Sequence, residues 1–159
     1  MGIRNRIFES RKPDIDYGKR ICAYLIAFDN EGRIPVVSVP RGYFLLGGGV
    51  EEGESHMDAI KRECIEEVGR DAYVGDIVCM AERFHYMARF KREMQVVAYF
   101  YKGELLDKVA EPSEQNHDLV WLTPDECISQ LFLVHQRWAV KCVLNDVNKK
   151  SASAKGRSS

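Results

Sequence analysis

Glu54, Arg62, Glu63, Glu66 and Glu67 fall within one glycine-bounded stretch, GGGVEEGESHMDAIKRECIEEVG, residues 47 to 69. Five residues separate Gly48 from Glu54, and seven separate Glu54 from Arg62. Ser55 is suited to cap a helix, with Asp58 in its first turn, and Gly69 to end it in a left-handed cap. On such a helix Glu63 and Glu67 lie about 40° apart and Glu63 and Glu66 about 60° apart. Met57, Ile60, Cys64 and Val68 form an apolar stripe expected to face the core, with the carboxylates beside it, where a cleft can form. Like charges four residues apart destabilise a helix by a few tenths of a kcal/mol. The nearest cations, Lys61 and Arg62, are expected to point elsewhere, with Arg62 held by Glu54. A divalent cation turns that repulsion into coordination, and Mg²⁺ in particular combines carboxylates with phosphate oxygens. The run Gly47-Gly48-Gly49 is expected to be a loop where backbone closely approaches metal or phosphate.

A glutamate cluster alone is ordinarily a solvated helix face. The full pattern fixes Gly48, Glu54, Arg62, Glu63, Glu66, Glu67 and Gly69 together. At ordinary residue frequencies, chance places these somewhere in such a chain about once in a million.

The elements that must carry this helix are legible around it. Ile21 to Phe28 (ICAYLIAF) is a continuous apolar run, as in a strand buried on both faces. Ile34 to Val39 follows the turn residues Asp29 to Gly32, and Tyr43 to Leu46 leads into the glycines. Residues 72–87 read as one long strand or two short ones, and Gln95 to Tyr101 as another. The polar loop Glu111 to Asn116 precedes a short strand at Leu119 to Leu122. Thr123, Pro124 and Glu126 form a capping box with proline at the first helical position. A last helix is expected to pack Val134, Trp138 and Cys142 on the core. Residues 1–18 read as an irregular lead-in and 149–159 as a disordered tail, leaving one domain over 1–148.

Of the 159 residues, 45% are hydrophobic and 30% charged, an ordinary globular composition. A net charge of −1 points to neither nucleic acid nor an anionic membrane as partner. No apolar run is long enough to span a bilayer, and the first residues lack the apolar core of a signal peptide. Cys22, Cys64, Cys79, Cys127 and Cys142 are odd in number and never form a CxxC pair, which fits reduced thiols in the cytoplasm and argues against zinc.

The pattern Gly48-x5-Glu54-x7-Arg62-Glu63-Cys64-x-Glu66-Glu67-x-Gly69 resembles the Nudix box of the MutT-like pyrophosphohydrolases. The resemblance implies an α/β class, the Nudix fold, an α/β/α sandwich around a mixed β-sheet. It also implies Mg²⁺- or Mn²⁺-dependent hydrolysis of a nucleoside diphosphate linked to another moiety. That moiety would make the substrate a nucleoside triphosphate, dinucleoside polyphosphate, ADP-ribose or nucleotide sugar. Carried over by position, Glu63, Glu66 and Glu67 are metal ligands and Gly48 offers its carbonyl, while Glu54 and Arg62 order the loop. Glu66 or Glu67 is favoured as the base, with Glu111, Glu114 and Asp118 as candidates outside the box. Arg70 and Gly47 depart from the family pattern, where an aliphatic residue and a proline are usual. Homodimers are frequent in the family. A catalytically silent, nucleotide-sensing Nudix-like module is the alternative, against which the intact carboxylates argue.

For substrate binding, Tyr43 and Phe44 precede the glycines, and Tyr86 and Arg89 lie where recognition is expected, with Glu114 in the later loop. Rings can stack on a base and arginines can hold phosphates. Tyr86 stands near the tyrosine of the family's dinucleoside polyphosphate hydrolases. His85 occupies roughly the place of the proline in its ADP-ribose hydrolases. His117 and His135 read as surface or packing residues.

Overall fold

Strand β2, Gly18–Ala27, explains the continuous apolar run, because it is covered on both faces. Cys22, Tyr24 and Ile26 join one buried cluster, and Ala23, Leu25 and Ala27 join another on the opposite face. Side chains alternate along a strand, so a strand buried on both faces needs apolar residues at consecutive positions. This computed structural model describes residues 2–156, with side chains described to 148.

The other strands are β1, Arg4–Ile7; β3, Ile34–Val39; β4, Gly42–Gly49; β5, Arg70–Met87; β6, Arg92–Lys108; and β7, Asp118–Leu122. They form a seven-stranded sheet in the order β1-β5-β6-β2-β4-β3-β7. The β1–β5 and β2–β6 pairs are parallel and the remaining pairs antiparallel, so the sheet is mixed. Helix α1, His56–Val68, covers one face through Ile60, Cys64 and Val68. Helices α2, Pro124–Gln130, and α3, Val134–Gly156, cover the other through Cys127, Ala139, Val140 and Val143. The result is the expected α/β/α sandwich. Each fully buried aliphatic side chain, Ile60 or Leu25 for example, contributes roughly 1.5–3 kcal/mol.

Both cap signals act as read. Ser55 Oγ accepts from Asp58 N at 3.0 Å, and Gly69 ends α1 with φ 71°. Thr123 and Glu126 form the reciprocal capping box of α2. Several expectations need correction. The lead-in is not wholly irregular, because β1 pairs with β5 and Arg4 meets Asp146 of α3 at 2.7 Å. Gly47–Gly49 are not a loop but the end of β4, paired with β2 at Cys22–Tyr24. Gly47 has φ 134°, and a Cβ there would run into the Ala23 carbonyl oxygen, so strand proximity is what requires glycine. Met57 is 50% exposed, since periodicity fixes its angle but not whether the first turn has anything beneath it. On α3 Cys142 is buried and Trp138 packs against the core as expected, but the buried face is otherwise set by His135, Gln136, Ala139, Val140 and Val143, and Val134 is exposed. That helix continues to Gly156, into the segment expected to be a disordered tail, while residues 157–159 lie outside the described ones. Among the described residues no helix is long and apolar enough to cross a membrane.

Candidate active site

Arg62 is the hub of the acidic helix face. Its Nε and one terminal nitrogen clasp both oxygens of Glu54, at 2.8 and 3.0 Å. The same nitrogen reaches the Gly49 carbonyl at 2.9 Å, tying β4, the 50–55 turn and α1 together. The other terminal nitrogen lies 3.0 Å from Glu63 and 3.2 Å from Glu66. The expectation that Arg62 points away from the carboxylates was therefore wrong, whereas its pairing with Glu54 holds. A long guanidinium fork can reach forward across a turn to the i+4 carboxylate, Glu66, while Glu54 holds its other edge. Lys61 turns instead to Asp71 at 3.7 Å.

The fork sets the electrostatics. Hydrogen bonding to Arg62 brings the Glu54 carboxyl down to about 2, and the pair raises the arginine in turn. Burial raises Glu63 despite Arg62, and burial raises Glu67 well above the usual carboxylate range. Glu67 is only 6% exposed and accepts from Gly47 N at 3.0 Å. It belongs to the buried arc of the helix rather than to a face beside it.

Replacing Arg62 by lysine keeps the charge and loses the fork. Arg62→Lys is expected to cost about 2 kcal/mol, counting charged hydrogen bonds discounted for partial exposure. In a chain of this size that lowers the melting temperature by roughly 4–8 °C. A variant melting within about 1 °C of the parent would show that the fork is replaceable.

The residues present fit a hard cation on chemistry. Carboxylates and a backbone carbonyl are the donors Mg²⁺ prefers. A Cβ on Gly48 would stand 2.9 Å from Glu63 Cδ, so the missing side chain is what lets strand and carboxylate meet. Among the described residues the acids are not gathered into a finished metal cage. Arg62 lies between Glu63 and Glu66, and Glu67 is turned onto Gly47.

Around this face lies a cleft of about 730 Å³, lined by Glu63, Glu66 and Glu67 and also by Arg20, Arg41 and Arg89. A family model described as the NUDIX domain matches residues 18–142. The chain belongs to the Nudix family. With that membership comes its class of chemistry, and it is a Nudix hydrolase. Several solved structures share the fold. The E. coli ORF135 protein is 22% identical, with 81% of this chain and 91% of that chain covered and a TM-score of 0.65. A MutT protein from Methanosarcina mazei Go1 is 17% identical, with 84% and 99% covered and a TM-score of 0.65. A NUDIX hydrolase from Nitrosomonas europaea is 14% identical, with 81% and 90% covered and a TM-score of 0.67. No curated protein matches the sequence.

The box of this Nudix hydrolase is thus assembled on one wall of the cleft, and the remaining candidates divide. Phe44, Arg89 and Glu114 line the same cleft. Glu114 is brought there because its N–H and that of Ser113 both donate to the Glu66 carbonyl at 3.0 Å. The loop thereby satisfies the open end of α1. Tyr86 lines a neighbouring cavity instead. Tyr43 packs against the core, and its carbonyl accepts from Phe132 N at 2.9 Å. Of the other two acids, Glu111 pairs with Lys108 at 2.7 Å, and Asp118 sits opposite Ser38 in the sheet. Sequence reasoning missed Arg20, Arg41 and His117 as cleft residues. Arg20 had a signal, since it lies two and four residues before Cys22 and Tyr24 on one strand face.

Proposed function

We propose that this Nudix hydrolase is a metal-dependent pyrophosphohydrolase acting on a nucleoside diphosphate linked to another moiety. The observation that carries this reading is a single cleft lined both by the carboxylates of α1 and by arginines on β2 and two loops. An anion and a cation that must sit together, phosphate and Mg²⁺ or Mn²⁺, need walls of both signs.

Glu63, Glu66 and Glu67 would hold the ion together with the Gly48 carbonyl. Bound there, it supplies charge neutralisation at the phosphate oxygens. Glu54 and Arg62 keep the turn and helix in register, so that the carboxylates are fixed before substrate arrives. The side chain of Glu66 is the most exposed of the three at 36%, so water reaches it most easily. Glu66 is accordingly the proton acceptor, with Glu67 second and Glu114 the candidate outside the box. As the water oxygen bonds to phosphorus, its proton passes to the carboxylate. The bridging P–O bond breaks, and the leaving group departs with the bridging oxygen. Phe44 offers a ring to the base, and Arg89 a guanidinium to phosphate. The buried, unbridged cysteines support a cytoplasmic setting, and a homodimer fits the family resemblance.

The test is product release across nucleoside triphosphates, dinucleoside polyphosphates, ADP-ribose and nucleotide sugars, with Mg²⁺ or Mn²⁺ and again after chelation. Cleavage of at least one member, abolished by chelator and restored by metal, is the expected result. Saturable binding with no cleavage of any member favours the silent sensing module instead.

A further inference from the structure

Beside the catalytic cleft lies a second cavity of about 470 Å³, and the two share Arg20, Arg41 and Arg89. Among the described residues none of these three has a carboxylate within salt-bridge distance, whereas Arg83 in the same cavity is paired with Glu9 at 3.0 Å and Arg62 with the acidic face. Each is held by rings. Arg20 and Arg89 each lie 5.4 Å from the centre of Phe90, and Arg41 lies 5.1 and 5.6 Å from Phe44 and Phe132. Stacking uses the flat face of a guanidinium and leaves its N–H edge free, the edge that grips phosphate in two places. Arg20 also reaches the backbone beside the acidic wall, since a Cβ on Gly49 would stand 2.8 Å from its terminal nitrogen. The guanidiniums therefore begin one residue from Gly48 and continue into the second cavity.

Resting on the hydrolase reading above, we infer that Arg20, Arg41 and Arg89 bind phosphate beyond the scissile anhydride, so that the moiety attached to the nucleoside diphosphate is itself anionic. A neutral sugar in that place leaves the three guanidiniums without an anionic partner. A polyphosphate chain running from the acidic wall into the second cavity compensates them. The fitting substrate class is a nucleotide with three or more phosphates, and the exposed Phe132 and Tyr86 at the second cavity are placed to flank whatever ends the chain.

The experiment is calorimetric binding of inorganic tripolyphosphate and pyrophosphate to the full chain in chelator, for the parent and for Arg20→Gln/Arg41→Gln/Arg89→Gln. Thermal melting checks that the variant is folded, and the single Arg41→Gln and Arg89→Gln variants, altered at exposed positions, stand in if it is not. Expected is about tenfold or tighter binding of tripolyphosphate, with the preference lost in the variant. Equal affinity for the two anions, or a preference the variants retain, overturns the inference. Turnover of adenosine triphosphate and diadenosine tetraphosphate against ADP-glucose with Mg²⁺ separates the two readings. Faster cleavage of ADP-glucose counts against the arginine assignment alone. No cleavage of any compound counts against hydrolysis of these nucleotides, while the metal-free binding result still decides the arginines.

Discussion

Glu67→Gln is expected to lower turnover by about 10²–10³-fold while leaving the folded protein as stable as the parent in metal-free buffer, or more so. The two halves have different origins. On the metal-dependent reading proposed above, the variant loses one negative ligand to an ion worth several kcal/mol to the transition state, which sets the size of the rate loss. The stability half follows from burial. Glu67 is 6% exposed, with its pKa raised first by desolvation and further by Glu63, Glu114 and Glu66. A carboxyl whose folded pKa lies above its unfolded one makes the native state less stable as pH rises past the unfolded value. At neutral pH the carboxylate is therefore a burden, which an amide of the same shape removes. Glutamine also keeps an oxygen to accept the 3.0 Å bond from Gly47 N. The measurements are initial rates with Mg²⁺ and thermal melts in chelator, then with metal added. Added metal should raise the parent melting temperature more than the variant's, since only a ligand that binds the folded form stabilises it. Retention of full activity would remove Glu67 from the site, and a large loss of stability in chelator would make it a structural residue.

How far the sequence carries depends on which force sets a feature. The caps at Ser55, Gly69 and Thr123 were readable because each is a local hydrogen-bond device within a few residues. The paired burial of β2 was readable because an uninterrupted apolar run has few other uses. Membership of the Nudix family was readable because seven box positions constrain one another. The partner of Arg62 was only half readable. Its clasp on Glu54 follows from loop closure, but its reach to Glu63 and Glu66 depends on a rotamer that helix geometry leaves open. The position of Gly47–Gly49 within the sheet was hidden, because three glycines resemble a loop until a neighbouring strand is known to press on them. Arg20 and Arg41 were missed for a related reason. They meet Arg89 only through pairing of β2 with β4 and β6, contacts that no local window contains.

His135 should make stability fall as the medium is acidified, and His135→Leu should remove most of that fall. The ring is 2% exposed, among Phe8, Tyr24 and Phe100, and neither nitrogen has a hydrogen-bond partner among the described residues. Burial lowers its pKa to about 3, with Arg83 and His85 of β5 contributing in the same direction. Unfolded, the imidazole titrates near 6.5. Between those values the unfolded chain takes up a proton that the folded chain refuses, so stability is lost as pH falls below about 6.5, by roughly 1.4 kcal/mol per unit. At pH 5 the loss is about 2 kcal/mol, or roughly 4–8 °C in melting temperature for a chain of this size. The raised carboxyls Glu63 and Glu67 act with the opposite sign, gaining relative stability on acidification. Subtracting the variant from the parent cancels them and isolates the histidine. Leucine also removes two unsatisfied nitrogens, each costing about 1–3 kcal/mol when buried. The variant should therefore melt higher already at pH 7.5, with the gap widening at pH 5. A constant gap between the two pH values would mean that the imidazole takes up its proton in the folded state as readily as in the unfolded one.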